Sequence, residues 1–306
     1  MRTVCVINNY NYATYIEECI MSAVEQTYSF DTIYIIDDGS TDHSRPIISA
    51  LLPKYKNIKT IFKENGGQLS CFNAVANLID PTDFVCFLDA DDVLPTDYLS
   101  LLMPKHQAIS ADLYFCEPTH FASPASPPRT ALRTSSYPDF NWRISSHTAR
   151  ARRTWTGSPT SCISLTGALF QQLLPYPFAD DWRTRADDIF IYGSAIVGAS
   201  KCYLPSLTIG YRVHGANSFY GREQDGAMGL QYELKIERLF NSYCDKFLLT
   251  QDPARLDDPA RREIALVPSH LRARFHLPSN EELTLQNYRG AKRTFKKLRL
   301  RLRGIR

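Results

Sequence analysis

Short apolar runs alternate with amphipathic stretches from residue 1 to about 117. The runs at 3–8, 32–37, 58–63, 83–88 and 111–116 are rich in Val, Ile, Phe and Cys and stop at polar or acidic residues. That is the pattern of strands buried on both faces. Between them, 14–26, 42–52, 67–79 and 95–109 carry apolar residues at helical spacing. In the first, Ile16, Cys19, Ile20, Ala23 and Val24 fall at i, i+3, i+4, i+7 and i+8, one stripe to lay on a sheet. Such alternation predicts βαβ units, an α/β fold and a mostly parallel sheet flanked by helices. Pro95 suits the first turn of the fourth helix and leaves 89–92 as the loop just before it.

The alternation stops at Pro118. Residues 118–153 hold Ala-Ser-Pro-Ala-Ser-Pro-Pro at 122–128, six arginines and few aliphatic side chains, which predicts a long irregular excursion. Order returns with 161–165, a short helix 167–174, a helix 187–197 and a strand 207–213. Beyond Gly226 the pattern is helical, with Ile236, Leu239, Phe240, Tyr243 and Phe247 on one face.

Composition narrows the setting. Hydrophobic residues at 44% and charged residues at 22% of 306 describe an ordinary globular chain with a sizeable core. Val4–Ile7 reaches Asn8 at once, so no signal peptide is expected. The uncharged stretch 154–179 contains three prolines and many hydroxyls, which argues against a membrane span. Eight cysteines without a C-x-x-C pair read as reduced core residues of a cytoplasmic protein, not as a zinc site or a disulfide framework. The net charge of +3 is a tail property, because nine basic residues and no acidic one follow Glu282. With Leu283, Leu285, Tyr288, Phe295, Leu298, Leu300 and Leu302 among them, 281–303 has the composition of a surface helix meeting anionic lipid. A peripheral contact through 289–306 at the inner face of a membrane is therefore expected, a solvated or disordered basic end being the alternative. No nucleic acid partner is expected.

Two acidic clusters carry the candidate chemistry: Ile35-Ile36-Asp37-Asp38-Gly39-Ser40 and Phe87-Leu88-Asp89-Ala90-Asp91-Asp92. Each sits at the C-terminal end of a buried strand, where open α/β sheets bind ligands. An Asp-x-Asp there can hold one hard cation, Mg²⁺ or Mn²⁺, against a diphosphate. Asp at a strand end is also turn and cap chemistry, but two such clusters together point to a nucleotide.

The order Val4-Cys5-Val6-Ile7-Asn8-Asn9-Tyr10-Asn11, then Ile36-Asp37-Asp38-Gly39-Ser40-Thr41-Asp42, then Phe87 to Asp92 resembles the family 2 glycosyltransferases of GT-A fold over roughly 3–215. The resemblance implies inverting transfer of a sugar from a nucleotide-sugar, UDP-linked, to a hydroxyl of a glycan or lipid-linked acceptor with Mg²⁺ or Mn²⁺. It implies a catalytic domain at 1–225, with a nucleotide-binding half at 1–117 and an acceptor-binding half at 118–225. A helical region with a basic tail follows at 226–306.

Nucleotide contacts fall by resemblance on Asn8, Asn9, Tyr10, Asn11, Asp38, Asn65, Gly67, Gln68, Ser70, Asp89 and Ala90. Chemistry agrees at several of these. Tyr10 can stack on a base, Asp38 can accept from a uracil N–H, and Gly66-Gly67 lets the backbone come close to ribose or phosphate. Asn65 to Asn73 resembles the family's Gly-rich segment, but Phe72 stands where an Arg is common. The resemblance puts Asp91 on the metal and Asp89 on ribose or in an outer shell, and His214 can complete the metal shell or contact phosphate. Arg185-Ala186-Asp187-Asp188-Ile189-Phe190 resembles an acidic pair opening a helix, in which Asp188 matches the general base and Asp187 replaces a Glu. Two Asp at a helix start also cap it. Tyr211 to Ser218 resembles a closing segment of the catalytic domain, and Arg212 and Trp182 are expected on the leaving phosphate or the acceptor. The competing reading is a non-catalytic module that holds a sugar nucleotide or docks on a membrane. A nucleotidyltransferase is disfavoured because residues 8–15 lack a Gly-rich, basic pyrophosphate loop.

Overall fold

The computed structural model describes residues 1–122, 125–142, 145–215, 226–279 and 282. The strands are β1 (Thr3–Asn9), β2 (Thr32–Asp38), β3 (Ile58–Lys63), β4 (Phe84–Asp89), β5 (Leu113–Phe121), β6 (Phe140–Trp142), β7 (Ile163–Thr166) and β8 (Lys201–Arg212). They form one sheet in the order β3-β2-β1-β4-β7-β5-β8-β6. Helices α1 (Ile16–Val24), α2 (Ser44–Leu51), α3 (Gln68–Ala74) and α4 (Tyr98–Ile109) connect the first strands, as the alternation predicts.

Strand side chains divide by parity between two cores, because successive residues of a strand point to opposite faces. Val4, Val6, Tyr34, Ile36, Val85 and Phe87 join one core, and Cys5, Ile7, Ile33, Ile35, Cys86 and Leu88 the other. The second core is closed by α1, α2 and α4. The first is closed by α3 and by the later helices α6 (Gly167–Leu173), α7 (Asp187–Ile196) and α8 (Gly226–Lys246).

Three boundaries differ from expectation. The stretch 67–79 gives α3 only to Ala74, followed by a 3₁₀ turn at Ala76–Leu78, where the Asn73 side chain bonds both backbone polar groups of Tyr176. The 118–153 excursion contains the second half of β5, all of β6, and α5 (Ser146–Arg152). Strand β8 begins at Lys201 rather than 207, its early half paired with β5 in parallel and with β6 in antiparallel register. The first half of the sheet is parallel, while β7 runs antiparallel to both β4 and β5.

The last helices pack into the same body. Ile236, Leu239, Phe240 and Tyr243 of α8 are buried with Ile189 and Phe190 of α7. On α9 (Pro253–Ala265), the Glu263 carboxylate accepts from the backbone N–H groups of His147 and Thr148 at 3.0 and 2.6 Å. These are open donors of the first turn of α5, where a negative charge is favoured. Helix α10 (Ser269–Arg274) follows, adding Leu271 to the core. All eight cysteines are buried with free thiols. No helix among the described residues is long and apolar enough to cross a membrane. The basic tail beyond Glu282 lies outside the described residues.

Lys201 is fully buried, and its Nζ donates to Ile191 O of α7 at 2.6 Å and to Thr156 O at 3.2 Å. Burial pushes the ammonium down to about 7 from 10.5. Between those values the unfolded chain holds a proton that the folded chain has released, so stability rises with pH across roughly 7 to 10.5. Below that window the charged form is buried and stability is lower. Every tenfold loss of proton affinity on folding corresponds to about 1.4 kcal/mol. Urea unfolding of wild type and Lys201→Met at pH 6, 8 and 10 checks this. The wild-type midpoint should climb with pH more steeply than the variant's, and parallel profiles would refute the assignment.

Candidate functional site

Register brings the acidic motifs together. Asn8 of β1 lies opposite Ile36 on one side and Asp89 on the other, and Asn9 lies opposite Asp37. Above this rim opens a cleft of about 730 Å³, within the size range of small-molecule sites. Of the residues singled out from sequence, Asn8, Asn9, Tyr10, Asn11, Asp38, Asn65, Gly67, Gln68, Asp89, Ala90, Asp91 and Asp187 line it.

The Asp37-Asp38 pair splits its work. Asp37 is fully buried and accepts from Arg45 Nε at 2.6 Å, Asn9 Nδ2 at 2.8 Å and Ser40 N at 3.1 Å, tying the loops after β1 and β2 together. Asn11, at φ +59°, accepts from Thr41 N at 2.8 Å in the same tie. Asp38 lines the cleft. It faces Lys63 in register across β2 and β3 and accepts from Lys63 Nζ at 2.6 Å, Gly66 N at 2.9 Å and Gly67 N at 2.7 Å. Gly67 has φ +85°, and a Cβ there would stand 2.3 Å from the Cα of Arg183, so the turn requires glycine. Ser70 sits behind this cradle, between Lys63 Nζ and Gly67 O, and does not reach the cleft. Tyr10 is 47% exposed and offers its ring. Phe72 is fully buried against Phe87 and Phe190 at centroid distances of 5.1 and 5.4 Å. An Arg at that position would place its charge in an aromatic core.

Asp89, Asp91 and Asp92 crowd the end of β4. Asp89 accepts from Gln68 Nε2 at 2.8 Å, yet burial, with Asp91 beside it, pushes its carboxyl up to about 7. Asp92 is buried on Ser161 Oγ at 2.6 Å and Arg212 N at 2.9 Å, and burial drives its carboxyl well up. Asp91 Oδ2 lies 3.0 Å from His214 Nε2, whose ring packs against Tyr12 and Tyr15. The side-chain oxygen of Asn8 is buried and has no hydrogen-bond partner among the described residues. Hard oxygens under mutual repulsion are what a divalent cation relieves. Among the described residues no three acidic, His or Cys side chains form a metal cage, but a cation shared with a diphosphate takes only one or two carboxylates from the protein. The donor set fits such an ion.

Besides Ser70 and His214, three residues expected at the site do not line the cleft. Asp188, expected as the base, is fully buried and does not line the cleft. It is held by Trp155 Nε1 at 2.7 Å, Arg185 Nε at 3.1 Å and Tyr232 OH at 3.0 Å. Adjacent helical residues point about 100° apart, and Asp187 is the one that faces the cleft. Burial, with Asp188 next, pushes the Asp187 carboxyl well up. Trp182 is only 1% exposed, a core residue. Arg212 is buried between the rings of Tyr15 and Phe121, its guanidinium on Glu18 Oε2 at 2.6 Å and on Asp91 O at 2.8 Å, so it braces the Asp91 loop from behind.

Sequence reasoning missed Tyr12, Trp155, Pro159, Thr160, Arg183 and Tyr211 in the cleft wall. Trp155 and Thr160 stand in the uncharged run 154–179, where no motif marks them. Arg183 reaches the site through Gly67: its carbonyl accepts from Gln68 N at 2.9 Å and its guanidinium bonds the Asn65 side chain.

Comparison with known proteins agrees with this geometry. The family described as "Glycosyl transferase family 2" matches residues 4–172. An uncharacterized glycosyltransferase of Nostoc sp. (strain PCC 7120) is 29% identical over 288 residues, which span 92% of this chain and 85% of the relative. Staphylococcus aureus TarS 1–349 in complex with UDP-GlcNAc is similar in fold, with a TM-score of 0.57 at 16% identity, over 97% of this chain and 92% of that one. The mannosyltransferase PcManGT of Pyrobaculum calidifontis in complex with GDP-Man and Mn²⁺ gives 0.55 at 17% identity, over 98% and 82%. Since the family match spans more than half of the sequence and the rim carries its acidic motifs, the chain is a glycosyltransferase that belongs to glycosyl transferase family 2.

Proposed function

We propose that this glycosyltransferase takes a UDP-linked sugar and transfers it with inversion to a hydroxyl of a glycan or lipid-linked acceptor, with Asp187 as the general base. The observation that carries the reading is the shared rim, on which Asp38, the Asp89–Asp91 loop and Asp187 line one cleft. Asp38, held by two backbone N–H groups and Lys63, presents a carboxylate to a base N–H, and Tyr10 offers a stacking face. A UDP-sugar in TarS and GDP-Man with Mn²⁺ in PcManGT, both of this fold, support a nucleotide-sugar and a divalent ion.

Asp91 and Asp89 would hold Mg²⁺ or Mn²⁺, with His214 beside Asp91. The ion, when bound, neutralises charge developing on the departing diphosphate. The protein's own part is to orient and to move a proton. Gln68 holds Asp89, Arg212 braces the loop of Asp91, and Asp187 takes the acceptor hydroxyl proton. Burial lifts the Asp187 carboxyl, which makes its carboxylate the stronger proton acceptor.

The domain limits follow the same reading. Residues 1–117 supply the nucleotide side and 118–225 the acceptor side. Within the region 226–306, helix α8 buttresses α7, and the basic residues 289–306 meet anionic lipid at the cytoplasmic face of a membrane.

Four outcomes are expected. Asp91→Asn should weaken UDP binding by about tenfold or more in Mn²⁺ and hardly at all in EDTA, read by calorimetry; equal Mn²⁺ enhancement in both proteins would sink the metal assignment. Asp187→Asn should lower transfer by at least about 10²-fold at unchanged melting temperature. Asp188→Asn should instead cost about 3–5 kcal/mol of stability by stranding Arg185, and near-normal transfer by Asp187→Asn would exclude it as the base. The full chain should sediment with anionic liposomes at low salt and be released at high salt. A chain ending at Glu282 that sediments equally well would overturn the role of the tail.

A further inference from the structure

Gln68 is the first residue of α3 and lines the cleft, and both ends of its side-chain amide are bonded. Nε2 donates to Asp89 Oδ1 at 2.8 Å and to Thr160 Oγ1 at 3.2 Å, while Oε1 accepts from Ala186 N at 2.9 Å. Its backbone N–H donates to Arg183 O at 2.9 Å. Gln68 therefore clasps the turn 183–186 at both ends, and the same amide holds the carboxylate at the end of β4.

That turn needs holding. Arg185 adopts φ +63°, a conformation unfavourable for a residue with a side chain. Ala186 stands at the N-cap of α7, where no side chain of the cap residue closes the helix end, and its N–H finds an acceptor on α3 in Gln68 Oε1. From there the chain enters Asp187, and Asp188 N and Ile189 N bond back to Arg185 O and Ala186 O at 3.1 Å each. The placement of Asp187 thus depends on a strained turn that one residue of another helix steadies.

We propose that Gln68 is a positioning residue that couples the two carboxylates: when a cation and diphosphate fix Asp89, Gln68 stiffens the turn 183–186 and sets Asp187 in place. A bound cation restricts the Asp89 carboxylate and with it the amide nitrogen bonded there. The amide is a rigid plane, so its oxygen restrains Ala186 N at the same time. Ordering achieved at the first site leaves less to be ordered at the second, and coupling of this kind needs a contiguous bonded chain and no change of shape. The proposal rests on the reading of Asp89 as a carboxylate of the metal side and of Asp187 as the base, and deepens both by naming the residue that joins them.

Hydrogen exchange of the full chain, read by mass spectrometry on peptides spanning 183–192, tests it with UDP and Mn²⁺ as the probes. In the wild type, saturating UDP with Mn²⁺ should slow exchange of these amides by about threefold or more, and saturating UDP in EDTA by less than about 1.5-fold. Gln68→Met, which keeps the side chain's length and loses both amide bonds, should abolish the slowing, while UDP affinity in Mn²⁺, read by calorimetry, changes by less than about threefold. A side chain that only packed would not make exchange in α7 depend on a ligand at the end of β4. Equal slowing in the variant, or in the wild type without Mn²⁺, would trace the effect to direct contact of the nucleotide with the turn and overturn the coupling. Absence of slowing in the wild type at saturation would overturn it too. Gln68→Ala serves if the methionine variant does not fold, and the comparison with and without Mn²⁺ needs neither variant. Turnover of Asp187→Asn separates the two readings: full turnover, with the slowing still dependent on Gln68, would remove the base and leave the coupling standing. A wild-type chain that binds no UDP would overturn the donor reading and the coupling with it.

Discussion

The constraint on which this structure turns is the crowding of carboxylates at one sheet edge. Parallel register sets the ends of β1, β2 and β4 side by side, so Asp37, Asp38, Asp89, Asp91 and Asp92 converge whether or not a ligand is present. Like charges that close cannot all be buried and ionised without compensation. Compensation here is uneven. Asp37 has Arg45, Asp38 has Lys63, and Asp92 has Ser161 and a backbone N–H, each from within the protein. Asp89 has neutral partners and a carboxyl pushed up to about 7. The Asp89–Asp91 loop faces the cleft, and that is where a cation and a diphosphate would complete the charge balance.

The same division recurs within each acidic pair. Asp37 and Asp38 are neighbours on a strand, so one points inward and the other to the cleft. Asp187 and Asp188 are neighbours on a helix, and the outcome is similar: one lines the cleft, the other is bonded by Trp155, Arg185 and Tyr232. The inward member of each pair is the scaffold of the outward one. Asp37 fastens the loop that carries Tyr10, and Asp188 fastens the wall that carries Trp155. Removing an inward carboxylate therefore damages the site without touching a substrate, which makes loss of activity alone a poor guide to which member reacts.

The fold is largely legible in the sequence because the first half repeats one motif, a strand buried on both faces followed by an amphipathic helix. That signal is local, and β1 to β4 with α1, α2 and α4 fall within a few residues of their predicted limits, while α3 stops early at Ala74 and β5 runs on to Phe121. The reversal at β7 and the early start of β8 are not legible, since both depend on which strand the returning chain meets. At the site, motifs locate Asp38, Gly67, Asp89 and Asp91 in the cleft. They do not say which way a helical side chain points, and of the acidic pair it is Asp187 that lines the cleft. Trp182 stands near the acidic pair in sequence, which suggests a contact, but Phe170, Tyr176 and Ile189 share its core. Trp155 carries no motif, and the bond that orients it joins residues 33 positions apart.

A neutral side chain spans the gap between the two ends of the cleft. Gln68 opens α3; its amide nitrogen donates to Asp89 Oδ1 at 2.8 Å and to Thr160 Oγ1 at 3.2 Å, and its amide oxygen accepts from Ala186 N at 2.9 Å. One residue thereby fixes the acidic loop of β4, the turn that leads into β7 and the first residue before Asp187. An amide is suited to this because it donates and accepts at once and adds no charge to a rim already rich in it. A lysine in its place would pair with Asp89 and compete with a metal for that carboxylate, and a glutamate would add to the repulsion. The gap between Asp89 and Asp187 is thus spanned by an uncharged hydrogen-bond bridge, which leaves the electrostatics of the cleft to be completed by what binds there.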